Sequence, residues 1–232
     1  MPALANRQTF NCLTSYAIET IGHDNVRAIQ PFFDCLPVDP YFPEGFRFRR
    51  FSHFSIRDSI VTQLPHTIFF QSKTYNPHLG DVYREYEEID PALIEHSAFR
   101  QALLTFFDFC QRCSAFNTVG VHQIRVTTSR QKQRSPAPEG IHQDGVDLVG
   151  ILCLDRHNLA DGETHLYANL QSPPVFRKIL QPGELLAFND HQFFHFTTDI
   201  RPAIAEHGHR DVLVFTCPDI PFNPQDKQAE LN

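Results

Sequence analysis

Between residues 118 and 217, short apolar-rich runs, several of them alternating apolar and polar positions with a period of two, are separated by polar breaks. That period marks strands, whose successive side chains face opposite sides of a sheet. Seven runs read as strands: VGVHQIRVTT (119–128), DLVGILCLDR (147–156), ETHLYANL (163–170), VFRKIL (175–180), ELLAFN (184–189), FFHFTT (193–198) and HRDVLVFTC (209–217). The breaks NLADGE, QSPP, QPGE and ND have turn chemistry. The first part of the chain follows a different rhythm. CLTSYAIETIG predicts a helix ending at Gly22, and NVRAIQPFFDCL a second one interrupted by Pro31. FRFRRFSHFSI (46–56) and TIFFQSKTYN (67–76) predict strands from their aromatic and β-branched content.

The clearest helix is predicted over DPALIEHSAFRQALLTFFDFCQRC (90–113). Asp90 suits the N-cap and Pro91 the first helical position. Leu93, Phe99, Leu103, Phe106, Phe107 and Cys110 recur at helical spacing and form one apolar side that must cover another element. Helices followed by many short strands predict a mainly β, α+β fold: a sandwich or barrel backed by helices. With 232 residues, no internal repeat and no linker, one domain is expected over 1–232, with a supporting region in 1–115 and a β core in 118–217. SRQKQRSPAPEG (129–140) reads as a polar loop, placed to close over a site or to connect strands in solvent.

Composition changes this picture in three ways. A net charge of -7 and the lack of a basic stripe argue against a nucleic-acid partner. Neither a signal-like leader nor an apolar run of about 20 residues is visible, so no membrane partner and a cytoplasmic location are expected. The six cysteines are expected to be reduced, with Cys110 and Cys113 of the C-x-x-C as buried free thiols on the helix.

Candidate chemistry concentrates in GIHQDGVD (140–147). On an extended segment His142 and Asp144 project to the same side, offering one imidazole and one carboxylate to a shared cation. A third ligand must come from elsewhere. In FFHFTT, Phe193, His195 and Thr197 share one face, leaving Phe194 and Phe196 to pack under helices. His195 is therefore expected inside and His191, near a turn, outside. Two histidines and one carboxylate leave coordination positions free, which suits non-haem Fe(II), although Mn or Zn accepts the same ligands.

The blocks PEGIHQDGVDLVG, DRHNLADGETHLY, QPGELLAFND, HQFFHF and HRDVLVFT, with FFQSKTYNPHLGDVYREY and HQIRVTT upstream, are similar to the bacterial 2-oxoglutarate and Fe(II)-dependent dioxygenases that hydroxylate free L-amino acids, the isoleucine 4-hydroxylase-like family. The resemblance spans about residues 46 to 217. It implies a double-stranded β-helix (jelly-roll, cupin-like) core, Fe(II) held by His142, Asp144 and His195 as the catalytic centre, and 2-oxoglutarate and O2 as cosubstrates. It also implies Arg210 as the residue that grips the distal carboxylate of 2-oxoglutarate, a task for which a guanidinium fork is suited. Arg210, Val212, Val214 and Thr216 share a face, and DIRPAIAEHG must form an excursion before them. Arg201 is the competing arginine, expected at the surface. For a free L-amino acid substrate, Arg125 is the candidate for its carboxylate, if the polar face of HQIRVTT turns inward. Glu139 is the candidate for its ammonium group, and Gln71 and Asn76 are further substrate contacts. The implied reaction is hydroxylation of an unactivated carbon of an aliphatic amino acid, releasing succinate and CO2. A cupin-like metal or small-molecule binding protein without oxidative activity is the alternative. His122, His165 and His209 are read as ordinary strand or turn histidines, and the sequence leaves the oligomeric state open.

Overall fold

The computed structural model describes residues 15–42, 44–76 and 80–219. Twelve strands run through them: β1 (Tyr16–Thr20), β2 (Arg47–Arg57), β3 (Ile60–Gln63), β4 (Thr118–Ser129), β5 (Leu148–His157), β6 (Leu159–Asp161), β7 (Thr164–Tyr167), β8 (Phe176–Lys178), β9 (Glu184–Asn189), β10 (Phe194–Thr197), β11 (Ile200–Pro202) and β12 (His207–Cys217). The helices are α1 (His23–Ile29), which runs into a 3-10 turn at Gln30–Phe33, α2 (Pro91–Glu95) and α3 (Ser97–Cys113). The strands form a jelly roll. An antiparallel seven-stranded sheet, ordered β1-β9-β5-β12-β4-β2-β3, faces a three-stranded sheet, β10-β7-β8, with β11 and β6 as a two-stranded ribbon.

Alternation along each strand divides most of the core in two, with a smaller third cluster of Phe51, Phe69 and Tyr86 beside them. Leu213, Phe215 and Cys217 of β12 point to the helices and join Phe99, Leu103 and Phe106 of α3 in one apolar cluster. Val212 of β12, Val149 and Ile151 of β5, and Leu186 and Phe188 of β9 point to the small sheet and form a second cluster. Each buried Phe or Leu contributes about 1.5–3 kcal/mol, so the aromatic stripe of α3 is a main source of stability. Phe106 stacks on Phe215 with ring centroids 5.3 Å apart. Both rings lie over Gly150, where an added Cβ would sit 2.6 Å from Phe106 and 3.2 Å from Phe215. Gly150→Ala is therefore expected to destabilise the fold by about 1–3 kcal/mol, the usual result of overpacking. A urea midpoint unchanged from wild type would contradict this packing.

All seven strands predicted beyond residue 118 form, and Asp90 caps α2 by accepting from the Ala92 amide. Several early expectations need correction. The segment predicted as a helix up to Gly22 contains β1, an edge strand paired with β9; its residues 12–14 lie outside the described residues. Pairing with a neighbouring strand overrides its weak helical pattern. TIFFQSKTYN forms no strand beyond one bridge between Phe69 and Arg84, because turns from Ser72 onward end the extension. The helix predicted over 90–113 breaks at His96, whose extended backbone ends α2 and whose ring accepts from Ala98 to cap α3. Ile60–Gln63 and the excursion after Thr197 contain strands that the pattern did not reveal, β3 and β11, the latter paired with β6. Cys110 is a buried free thiol, but Cys113 is disulfide-bonded, against the reduced reading. Phe194 and Phe196 are half-buried instead of lying under helices, because the helices back the seven-stranded sheet. No helix among the described residues is long and apolar enough to cross a membrane.

Candidate metal centre

Between the two sheets lies a cavity, with His142, Asp144 and His195 on its wall. His142 and His195 are not on a common strand. The His195 amide donates to the His142 carbonyl at 2.8 Å, and the His142 amide donates back at 3.1 Å. This lone antiparallel bridge at the start of β10 brings the rings to 4.2 Å between centroids. The Nε2 atoms of His142 and His195 lie 3.7 Å from Asp144 Oδ1 and Oδ2, respectively. Two donors on one ion, each bound at ~2.1 Å, are at most ~4.2 Å apart, so these separations fit a shared divalent cation. The tautomer fits as well: Nδ1 of His142 is 2.9 Å from the Gly140 carbonyl and must donate, which leaves Nε2 with its lone pair. Burial, with His142 alongside, depresses His195 to about 4, so its ring is neutral. Burial disfavours the Asp144 charge, but His195, His142 and a hydrogen bond from Gln71 outweigh it and hold the carboxyl below its usual range. One carboxylate and two neutral imidazoles are the donor set expected for non-haem iron.

The turn holding Asp144 is built on Asp190, which a sequence reading takes for a plain turn residue. Buried at the end of β9, Asp190 accepts from the amides of Asp144, Gly145 and Val146 at 3.1, 2.8 and 3.3 Å. Burial and the nearby Asp144 charge push its carboxyl up to about 7. Gly145 is required at its position: its φ is +82°, and a Cβ there would meet the Tyr75 ring at 2.6 Å. Asp190→Ala is expected to lower divalent-metal affinity about 10- to 100-fold by releasing this turn, with Asp190→Asn intermediate. Competition with a chromogenic chelator measures it, and wild-type affinity in Asp190→Ala would refute the bracing role.

Arg210 reaches the cavity from β12 together with Val212, Val214 and Thr216, the face expected from alternation. It is buried, and among the described residues its Nε and Nη2 have no hydrogen-bond partner. Two orphaned guanidinium donors facing a cavity suit a carboxylate ligand. Gln71, Asn76 and Glu139 also line the cavity. The Gln71 amide donates to Asp144 Oδ1 at 3.1 Å, so it also orients the carboxylate, and Asn76 donates to Gln71 at 3.1 Å. Burial opposes the Glu139 charge, but Arg47 and His142 offset it and keep the carboxyl below its usual range. The loop 129–140 contributes Pro136, Ala137 and Glu139 to the wall, tied down by the bridge between Arg134 and Ile200.

Arg125 is elsewhere. Its face of β4 turns toward the helical layer, where it grips Asp211 through two bonds of 2.7 Å and reaches Asp34 at 3.0 Å. Ile124 and Val126 line the cavity instead, so the expected orientation of this strand is reversed. Arg201 is exposed and paired with Asp161, and His191 is exposed near Asp147, both as expected. His122 differs from its reading as an ordinary strand histidine. It lines the cavity, stacks on Phe51 at 4.5 Å and contacts Arg49 Nη2 at 2.7 Å through Nδ1. Burial and Arg49 push it well below the usual histidine range, so it is a neutral acceptor. Arg47, Arg49 and Arg84 complete the polar wall. The only sequence signal for the first two was an unusual pair of arginines, spaced by two, on the strand FRFRRFSHFSI.

Comparison with known proteins agrees with this geometry. Residues 30–216 match the family model described as 2OG-Fe dioxygenase. An L-isoleucine-4-hydroxylase of Bacillus thuringiensis is 24% identical over 156 residues, 64% of each chain, so the match covers just under two thirds of that relative. A 3(1)-hydroxy-L-isoleucine 4-dioxygenase of Pantoea ananatis (strain AJ13355) is 22% identical over 76% of this chain and 74% of its own. The crystal structure of a BsmA homologue from Methylobium petroleophilum PM1 superposes with a TM-score of 0.77 at 25% identity, covering 88% of both chains.

Proposed function

Since the chain belongs to the 2OG-Fe dioxygenase family, we propose that it hydroxylates an unactivated carbon of a free aliphatic L-amino acid, releasing succinate and CO2. The observation that carries this reading is the convergence of His142, Asp144 and His195 in the same cavity as a buried Arg210 whose Nε and Nη2 have no hydrogen-bond partner among the described residues. Fe(II), 2-oxoglutarate and O2 supply the oxidising power when bound, and the protein supplies placement and exclusion of water. His142, Asp144 and His195 would hold the metal, with Gln71 and Gly140 fixing the Asp144 and His142 orientations. Arg210 would bind the far carboxylate of 2-oxoglutarate with its orphaned nitrogens. Ile151, Val212 and Val214 give that part of the cavity a dry lining, where charge-assisted hydrogen bonds gain strength. Glu139, half-buried and held ionised by Arg47 and His142, would receive the substrate ammonium. Anchoring the charged end of the substrate selects which carbon is presented for oxidation.

The names of the two curated relatives support an amino-acid substrate. The test is mass spectrometry of products formed from a mixed pool of aliphatic L-amino acids with Fe(II), 2-oxoglutarate and air, together with succinate release. A single oxidised amino acid with matching succinate is expected. Absence of substrate-stimulated succinate with every aliphatic amino acid would remove the substrate assignment.

A further inference from the structure

We infer that Arg49 and Arg84 form the anchor for the substrate's carboxylate, which commits the enzyme to a free acid and excludes a residue within a peptide chain. The inference rests on the reading of the cavity as a 2-oxoglutarate dioxygenase site. Arg49 comes from β2 and Arg84 from the segment bridged to Phe69, and both are almost fully buried on the cavity wall. Their guanidinium carbons lie 5.5 and 4.7 Å from the centroid of the same Phe69 ring. Among the described residues, neither makes an ion pair, and the Nε of each has no hydrogen-bond partner. Arg49 rests on the neutral ring of His122, and Arg84 on the amide oxygen of Gln71 at 3.2 Å. Two like charges buried together with only neutral partners are costly, and a carboxylate would offset that cost. Burial brings Arg49 down to about 10, which leaves it cationic at neutral pH.

The position suits substrate binding. The Gln71 side chain that accepts from Arg84 also donates to Asp144, so one side chain separates the anchor from the metal-binding carboxylate. Glu139, joined to Gln71 through Asn76, is within the same network for an ammonium group. Arg125, already committed to Asp211, has no access to this cavity.

The test is calorimetric titration of the protein loaded with Mn(II) and 2-oxoglutarate, without O2. The probes are L-isoleucine, 3-methylpentanoate, which keeps the carboxylate and drops the amine, and L-isoleucinamide, which does the reverse. Wild type is expected to bind both acids and to bind the amide at least tenfold more weakly. Arg49→Gln and Arg84→Gln should each lose at least tenfold in affinity for both acids and no longer prefer acid over amide, while 2-oxoglutarate affinity stays within twofold. If a Gln variant does not fold, the corresponding Lys variant is titrated, with a smaller loss in the same direction expected. The proposal is overturned if wild type binds neither acid, if it binds the amide as well as the acids, or if the variants keep the acid preference. It is also overturned if the variants lose 2-oxoglutarate affinity instead, which would make this the cosubstrate pole. The dioxygenase reading fails by a separate sign: 2-oxoglutarate binding that does not depend on metal.

Discussion

Alanine at His142, Asp144 or His195 is expected to abolish substrate-stimulated succinate release, a fall of at least about 10³-fold, and to strip the protein of its metal. The size follows from the ligand count. Three protein donors would hold the ion, and losing one would leave two that bind too weakly to retain it against a chelator. Asp144→Ala also leaves two imidazoles without their carboxylate, each 3.7 Å from its oxygens in the native protein. Fold should survive, because Asp144 and His142 lie on a turn outside the two apolar clusters. The measurement pairs metal content after gel filtration with succinate formation and the thermal midpoint. Wild-type turnover in any one of the three variants would refute that residue as a ligand.

The second large effect is at Arg210. Arg210→Ala is expected to weaken 2-oxoglutarate binding by at least about 100-fold, because truncating one partner of a buried, hydrogen-bonded charge pair costs about 3–5 kcal/mol. Arg210→Lys should recover only part of the loss: an ammonium keeps the charge without the fork that meets both carboxylate oxygens. Metal affinity should change little in both variants. Calorimetry with 2-oxoglutarate and the Mn(II)-loaded protein gives the number directly. Unchanged affinity in Arg210→Ala would favour the alternative of a jelly-roll metal-binding protein, which has no use for a buried cation beside its ion.

The legibility of the site varied with how its residues are encoded. His142 and Asp144 are two positions apart, and His195 lies on a strand whose alternation places it with buried Phe193 and Thr197. These are local regularities, visible without coordinates. Asp190 was not legible, since a carboxylate that braces a turn through three amides resembles any other Asn-Asp turn until the turn it braces is seen. His122 and Arg84 were missed because their roles arise from partners 73 and 13 residues away, respectively. The break at His96 was hidden by an apolar periodicity that continues across it.

The sequence by itself determined the positions of seven strands in the second half, the apolar face of α3, the His-x-Asp pattern and the stripe running from Arg210 to Thr216. Each depends on the spacing of residues within one element, which the period of the backbone fixes. Only the tertiary structure decided which side of β4 faces the cavity. Alternation shows that Arg125 and Ile124 point opposite ways, but in a sheet covered by helices on one side and a second sheet on the other, both faces are buried and polarity gives no direction. The same physics kept Arg49 and Arg84 hidden: a shared ring and a common cavity are properties of packing between distant segments, and no periodicity along the chain records them.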